Sequence, residues 1–165
     1  MKLRILSVFA AAALLAACET APDSSANSAG EGVSTTSQPA ATSSALSESS
    51  PEWFAVNVGD RVFFGFDKYD LSGEARRTLE LQSAWLKKYP QYKVVVEGHA
   101  DERGTREYNL ALGERRANSV KDYLVALGID PSRVETISYG KERPVALGHD
   151  EESWSKNRRS VSVIR

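Results

Sequence analysis

The chain has 165 residues, of which 41% are hydrophobic and 26% are charged. Its 21 basic and 22 acidic residues nearly balance, which argues against a nucleic-acid-binding protein, because such proteins usually carry a basic stripe. The only cysteine, Cys18, cannot form an internal disulfide or a cysteine-pair metal site.

The N-terminal segment has the features of a secretory signal peptide. Lys2 and Arg4 provide a short positive region, and residues 5–17 are apolar at all but one position. A membrane span needs about 20 consecutive apolar residues, so this run is too short to be one. Small residues precede Cys18. We therefore predict that residues 1–17 are a signal peptide; a plain export signal, with an incidental cysteine, is the alternative.

Residues 18–50 have the composition of a linker. Ser, Ala, Thr, Gly and Pro dominate, large apolar residues are almost absent, and four acidic residues stand without a Lys or Arg. Such a segment cannot bury enough apolar surface to offset the entropy of ordering, so we predict that it is disordered. As a flexible coil it would span roughly 30 Å and stretch to about 110 Å. Residues 51–165 remain as one domain.

The domain begins with a predicted strand and helix. Residues 61–66 are rich in aromatic and branched side chains, which is typical of a strand. Ser72 is a suitable N-cap for a helix that runs to about Tyr89, and Pro90 ends it.

The remaining elements continue this alternation. Residues 92–97 form a second strand, and their three consecutive valines predict burial on both faces. Thr105 can cap a second helix, which runs to Leu127 before Gly128. Three further elements are predicted: a strand at 134–139, a short helix at 151–157 and a strand at 159–164. The order β-α-β-α-β-(α)-β predicts an α/β fold of the α+β sandwich type, with helices packed on one mixed four-stranded sheet.

A candidate binding site follows the first two strands. Asp67 and Asp101 lie in loops just beyond strands, and Gly98 and Gly104 flank the second loop. If the two strands are parallel neighbours, these loops share one end of the sheet, which is where open α/β sheets place ligands. The helical pattern places Arg116 on the rim of the apolar stripe of the second helix. A carboxylate opposite a guanidinium can bind a ligand that carries both an ammonium and a carboxylate.

Other interpretations of these residues remain open. Asp67 and Asp101 could instead cap helices or pair with Lys68 and Arg103. Arg115, next to Arg116, is expected on a solvated helix face.

Catalytic and metal chemistry fits the sequence less well. His99 could be joined only by His149, no H-E-x-x-H motif occurs, and we expect His99 to be structural. Asp101 and Glu102 could act as an acid–base pair, but adjacent side chains on one loop usually diverge. No nucleophile elbow or phosphate-binding loop is present. The tryptophans and Tyr139 are expected to serve packing rather than to stack on sugars.

Several motifs together resemble a known family, the OmpA-like peptidoglycan-binding domain. The resemblance covers nearly all of residues 60–165. The motifs are Phe66–Asp70, Val94–Gly104, Tyr108–Asn109, Gly113–Val120, Val134–Lys141 and Trp154–Arg159.

This resemblance implies non-covalent binding of peptidoglycan through the meso-diaminopimelate of its stem peptide. By family likeness, Asp101 takes the ammonium and Arg116 takes the carboxylate of that residue. Phe66 and Asp67 would form the facing wall, while Arg103 and Leu112 match further contact positions. Asn157 and Arg158 fall in the last of these motifs, Trp154–Arg159, which we call the closing motif. There they could either touch the ligand or brace the site.

A second resemblance concerns the N-terminus. The run Leu15–Cys18 is similar to the lipobox of bacterial lipoproteins, which implies that Cys18 is acylated and anchors the chain. Glu19 instead of Asp then favours the outer membrane, with the domain facing the periplasm.

The family likeness also implies a role and partners. The protein would tether the outer membrane to the wall within the Tol envelope system, in envelope integrity and cell division, with TolB competing for an overlapping surface. No cofactor, catalytic residue, metal or nucleic acid is expected. A lipoprotein enzyme that trims peptidoglycan and a pure protein-interaction module are the alternatives.

Overall fold

A computed structural model describes residues 46–165 of the chain. The predicted signal peptide, Cys18 and most of the predicted linker lie outside this range. Within residues 46–165, no helix combines the length and the apolar character that crossing a bilayer requires.

The described region alternates strands and helices in the predicted order, and the predicted fold class is confirmed. The strands are β1 (Arg61–Phe63), β2 (Val94–His99), β3 (Val134–Gly140) and β4 (Arg159–Ile164), and the helices are α1 (Pro51–Trp53), α2 (Gly73–Lys88), α3 (Arg106–Ala126) and α4 (Glu151–Asn157). A π-helical segment, Phe54–Gly59, continues α1, and a 3-10 turn, Pro131–Arg133, precedes β3.

The sheet has the strand order β1-β4-β2-β3. β4 pairs antiparallel with both β1 and β2, whereas β2 and β3 are parallel. β1 and β2 therefore run in the same direction but are separated by β4, so the assumption that they are neighbours is wrong. Its consequence still holds, because strands that run in the same direction end at the same edge of the sheet. The loops carrying Asp67 and Asp101 leave from that edge.

The predicted helix caps are present in the structure. The Ser72 hydroxyl accepts a hydrogen bond from the backbone N–H of Ala75, and the Thr105 hydroxyl accepts one from Tyr108. Each cap satisfies one of the backbone donors left unpaired in the first turn of a helix. These caps explain why α2 and α3 begin directly after the two loops at the binding edge.

The hydrophobic core lies on one face of the sheet, under α2 and α3. Val94 and Val96 of β2 are fully buried against these helices, whereas Val95 between them is only half-buried. The prediction that β2 is buried on both faces is therefore wrong, since no helix of the described region covers the second face. The three valines reflect β-propensity on a central strand rather than two packed layers.

β1 is shorter than predicted. It ends at Phe63, and the chain then leaves the sheet, although the Phe64 N–H still bonds to the Arg158 carbonyl at 2.9 Å. Phe66, which was assigned to the strand, lies in the following loop with 58% of its surface exposed. An aromatic run alone did not reveal where pairing with β4 stops.

The start of the domain was not predicted in detail. Ser50 caps α1, and Pro51 occupies its first turn. The predicted linker extends to residue 50, yet Glu48 already contacts α2. Its carbonyl accepts from the Trp85 indole N–H at 2.9 Å, and its carboxylate lies 2.6 Å from the Lys88 ammonium.

α3 crosses β2 at very short range, at Gly98 and Gly113. A Cβ atom added to Gly98 would lie 1.9 Å from the Gly113 carbonyl oxygen, so no side chain fits there. This close approach brings Arg116, one turn further along α3, next to the loop that follows β2.

We predict that Gly98→Ala strongly destabilises the domain. The added methyl group meets backbone rather than a flexible side chain, so the loss in unfolding free energy should reach or exceed the upper end of the ~1–3 kcal/mol typical of overpacking. Gly73→Ala is the matched control, because a Cβ there meets nothing within 4 Å. Urea unfolding of both variants measures the difference, and similar stabilities would contradict the close crossing.

Candidate functional site

A cavity of about 180 Å³ opens at the edge where β1 and β2 end. All six residues predicted as ligand contacts line it. The lining residues are Phe66, Asp67, Asp101, Arg103, Gly104, Tyr108, Asn109, Leu112 and Arg116.

Arg116 lies at the floor of this pocket and has no exposed surface. Its Nε donates to the Lys68 carbonyl at 2.8 Å, its Nη1 to His99 at 2.8 Å and its Nη2 to Gly65 at 3.0 Å. A guanidinium has five N–H groups, so two are not used by these three bonds. Burial lowers the pKa of Arg116 to about 10, which keeps the side chain charged at neutral pH.

The helical pattern predicted the direction of Arg116 on α3, beside the apolar stripe, but not its complete burial. It could not show that the loop between β1 and α2 folds over the guanidinium and supplies two of its three carbonyl partners. Arg115 is exposed, as predicted, and its guanidinium lies 5.9 Å from the centre of the Tyr69 ring.

Asp101 forms a compact ion cluster beside Arg116. Its Oδ2 accepts from Arg103 at 2.6 Å and from Arg158 at 3.3 Å, and its Oδ1 accepts from the Arg103 backbone N–H at 3.2 Å. Burial alone would raise the pKa of Asp101. The hydrogen bonds from Arg103 and Arg158 outweigh burial and hold the pKa below its ordinary value. Pairing of Asp101 with Arg103 was one of the open alternatives, and the structure contains it.

The Arg103 guanidinium is stacked between two aromatic rings. Its central carbon lies 4.0 Å from the centre of Phe66 and 4.1 Å from the centre of Trp154. Both distances are well within the range of cation–π attraction. The rings confine the guanidinium while one of its nitrogens holds Asp101.

Asp67 occupies the opposite wall. Its backbone φ is 55°, a left-handed value that is uncommon outside glycine and is found at no other non-glycine residue of the described region. The Tyr108 hydroxyl donates a hydrogen bond to its carboxylate, which raises the pKa of Tyr108. The partner of Asp67 is thus Tyr108 rather than Lys68, and both residues line the pocket.

Asn109 and Leu112 complete the α3 side of the pocket. The Asn109 side chain donates to the Arg103 carbonyl at 2.8 Å and thereby fixes the loop after β2. Leu112 is 5% exposed and provides apolar surface between the charged groups. Such a surface suits the methylene chain of a bifunctional ligand.

The closing motif braces the site. Asn157 is buried, and its side-chain oxygen accepts from the backbone N–H groups of Val145 and Ala146 at 2.8 and 3.1 Å. Arg158 is also buried and donates to Asp101, to Glu151 and to the Phe64 carbonyl. Neither residue lines the pocket.

Sequence reasoning assigned no role to Tyr108 or Asn109, assigned Trp154 to packing, and left open whether Arg158 touches the ligand or braces the site. A signal existed for Tyr108 and Asn109, because the Thr105 cap places them in the first turn of α3, beside the loop. For Trp154 and Arg158 the signal was their place in the motif Trp154–Arg159, which does not show what they contact. Their position depends on β4 lying between β1 and β2, which the order of elements alone does not give.

His99 is buried and does not line the pocket. It is 2% exposed, neither ring nitrogen has a hydrogen-bond partner among residues 46–165, and its ring centre lies 5.5 Å from that of Tyr139. Burial, assisted by the charges of Arg159 and Arg143, lowers the pKa of His99 to about 4. In residues 46–165, no group of three or more His, Cys, Asp or Glu side chains is arranged to hold a metal ion.

Comparison with known proteins places this chain in a family. The OmpA family model matches residues 63–158. The chain belongs to the OmpA family. It is 55% identical over 120 residues to a protein of Rhizobium meliloti, a match that covers 73% of this chain and 68% of that one. It is 57% identical over 111 residues to a protein of Agrobacterium fabrum, covering 67% and 63% respectively. Both OmpA-family relatives are named peptidoglycan-associated lipoprotein.

Solved structures agree with this membership. The peptidoglycan-associated lipoprotein of Burkholderia pseudomallei superposes with a TM-score of 0.66 at 42% identity, over 70% of this chain and 100% of that one. The C-terminal domain of Helicobacter pylori MotB shares the fold, with a TM-score of 0.60 at 22% identity, over 64% of this chain and 84% of that one. The sequence resemblance to the OmpA-like family is therefore confirmed.

We predict that His99 makes the domain less stable as the pH falls. The folded protein binds the His99 proton only near pH 4, whereas an unfolded histidine binds it near 6.5. The contribution of His99 is thus complete above pH 6.5, and about 2 kcal/mol of it is lost by pH 4.5.

The measurement is urea unfolding of the wild type and of His99→Phe at pH 7 and pH 4.5. The carboxylates titrate in both proteins, so the difference between the two isolates His99. Equal pH dependence in the two proteins would contradict this prediction.

Proposed function

We propose that this chain is a lipoprotein of the outer membrane that binds peptidoglycan non-covalently through the diaminopimelate of the stem peptide. The observation that carries the proposal is the charge balance of the pocket. Its lining contains two carboxylates, Asp67 and Asp101, and two guanidinium groups, Arg103 and Arg116. The free end of diaminopimelate carries one ammonium and one carboxylate on the same carbon, so its charge is also balanced. The names of the OmpA-family relatives support peptidoglycan as the ligand.

Each contact has a physical role in this proposal. Asp101 takes the ammonium through the oxygen that accepts only a backbone N–H, and Arg116 offers its two unused N–H groups to the carboxylate. Charge-assisted hydrogen bonds of this kind are stronger than neutral ones. Phe66 and Asp67 form the facing wall, while Arg103 and Leu112 contact the rest of the side chain.

We further propose binding without cleavage. None of the residues that line the pocket is a Ser, Thr or Cys, and the one hydroxyl, of Tyr108, is hydrogen-bonded to Asp67. Incubation of purified sacculi with the protein should therefore release no soluble muropeptides, and their release would favour the enzyme alternative.

The remaining parts of the proposal rest on the N-terminal sequence and the relatives. We infer that residues 1–17 are cleaved, that Cys18 is acylated and that the segment between Cys18 and the first contacts of the domain at Glu48 acts as a tether. The domain would then face the periplasm within the Tol–Pal system, contribute to cell division and envelope integrity, and bind TolB in competition with the wall. The Leu15–Cys18 motif and the word lipoprotein in the relatives' names support the anchor.

We predict that Asp101→Asn weakens co-sedimentation with sacculi. A charge-assisted hydrogen bond contributes about 1.5–3 kcal/mol, so the affinity should fall tenfold to more than a hundredfold. Arg115→Ala is the matched control, because that exposed charge lies outside the pocket and should contribute under about 1 kcal/mol. Unfolding curves verify that both variants fold, and equal losses in the two would contradict the assignment of the site.

We also predict that the pocket discriminates between stem peptides. A peptide with lysine in place of diaminopimelate keeps the ammonium but lacks the carboxylate, which leaves the buried Arg116 without its ligand partner. It should bind at least about tenfold more weakly, equivalent to about 1.4 kcal/mol. Titration calorimetry with defined peptides measures the ratio. Equal affinities would mean that recognition lies elsewhere on peptidoglycan.

A further inference from the structure

The short helix α4 and the residue after it hold every side chain of the loop Asp101–Arg103. Arg158 contacts the Asp101 carboxylate at 3.3 Å, and the Trp154 indole N–H donates to the Glu102 carboxylate at 2.8 Å. Trp154 also covers the Arg103 guanidinium. The loop that supplies two pocket residues is therefore held from a segment about 50 residues further along the chain.

Two members of this group contact Arg103: the exposed Glu151, whose carboxylate lies 3.8 Å from the guanidinium, and Trp154, whose ring covers it. The Trp154 ring lies on one face of the guanidinium and Phe66 on the other, and the bond to Glu102 fixes the ring itself. The two rings thus confine a guanidinium whose buried Nε–H has no hydrogen-bond partner within the described residues.

We propose that Trp154 is a positioning residue, which orders Arg103 before the ligand arrives; this inference rests on the proposed binding of diaminopimelate. A long arginine side chain has many rotamers, and a ligand that must immobilise it binds more weakly. Stacking between Phe66 and Trp154 removes that cost in advance. Trp154 acts through Arg103 and does not itself line the pocket.

The alternative to a positioning role is that Trp154 only packs against its neighbours near the surface. Trp154 is half-buried and is not part of the hydrophobic core cluster. Its removal should therefore leave the domain folded, which makes the affinity of the variants interpretable.

The first experiment measures the affinity of a diaminopimelate stem peptide by titration calorimetry. Trp154→Leu removes the ring and should weaken binding roughly fivefold to tenfold. Trp154→Phe keeps a ring over the guanidinium and should recover most of the affinity. Lys156→Ala is the control on the same helix, because Lys156 pairs with the exposed Glu152. It should bind like the wild type. A Trp154→Leu variant with wild-type affinity would overturn the proposal.

A double-mutant cycle tests whether Trp154 acts through Arg103. In an Arg103→Gln background, Trp154→Leu should cost less than twofold, because the side chain that it positions is gone. An equal cost in both backgrounds would overturn the role of Trp154 as a positioning residue.

A ligand-free measurement separates this inference from the proposed function. Nitrogen relaxation of the Arg103 Nε–H group should show an ordered side chain in the wild type and in Trp154→Phe, and a mobile one in Trp154→Leu. Equal order in all three would overturn the inference, even if the peptide binds. If the wild type fails to bind the peptide, the proposed function fails, whereas the order of Arg103 still decides the role of Trp154.

Discussion

The buried guanidinium of Arg116 is the interaction on which the functional end of the molecule depends. Its three hydrogen bonds go to carbonyls of two separate segments, the β1–α2 loop at Gly65 and Lys68 and the end of β2 at His99. One side chain from α3 thereby joins both loops that supply acidic groups to the pocket. A charge without exposed surface is costly unless its donors are satisfied, so these loops are held to this path. Arg116 therefore holds the two loops together and also forms the proposed floor of the binding site.

Arg116 can reach these carbonyls only because α3 approaches β2 so closely. At Gly98 and Gly113 the backbones of β2 and α3 are in direct contact, because neither residue has a side chain to separate helix and sheet. With ordinary side chains at these positions the helix would stand further away, and the guanidinium would no longer reach the end of β2. Two glycines in the sequence therefore set the depth of the pocket, although neither of them lines it.

Patterns that act within one element were predictable from the sequence, and those that depend on neighbouring elements were not. The Ser72 and Thr105 caps, the order of strands and helices and the exposure of Arg115 follow from local propensity and helical period. The partial exposure of Val95 could not be predicted, since a run of valines does not show whether a second layer covers the strand. The group around Trp154 could not be predicted either, because it requires β4 to lie between β1 and β2. The sequence pattern indicated Asp67, Asp101 and Arg116, and the family resemblance added Phe66, Arg103 and Leu112; the contacts of Trp154 and Arg158 that brace them came from the structure.

The arrangement of charges explains why such a pocket would be selective rather than merely adhesive. Asp101 is already paired with Arg103 and Arg158, so a lone cation gains little there and would unbalance the cluster. A lone anion at Arg116 faces the nearby negative charge of Asp101 in the same way. A zwitterion adds one positive and one negative charge, so the net charge of the cluster does not change. Each of its two groups can then pair with a protein side chain, and no charged side chain is left without a partner. Because an unpaired buried charge costs more than a made contact contributes, discrimination in this site would come mainly from the penalty on incomplete ligands.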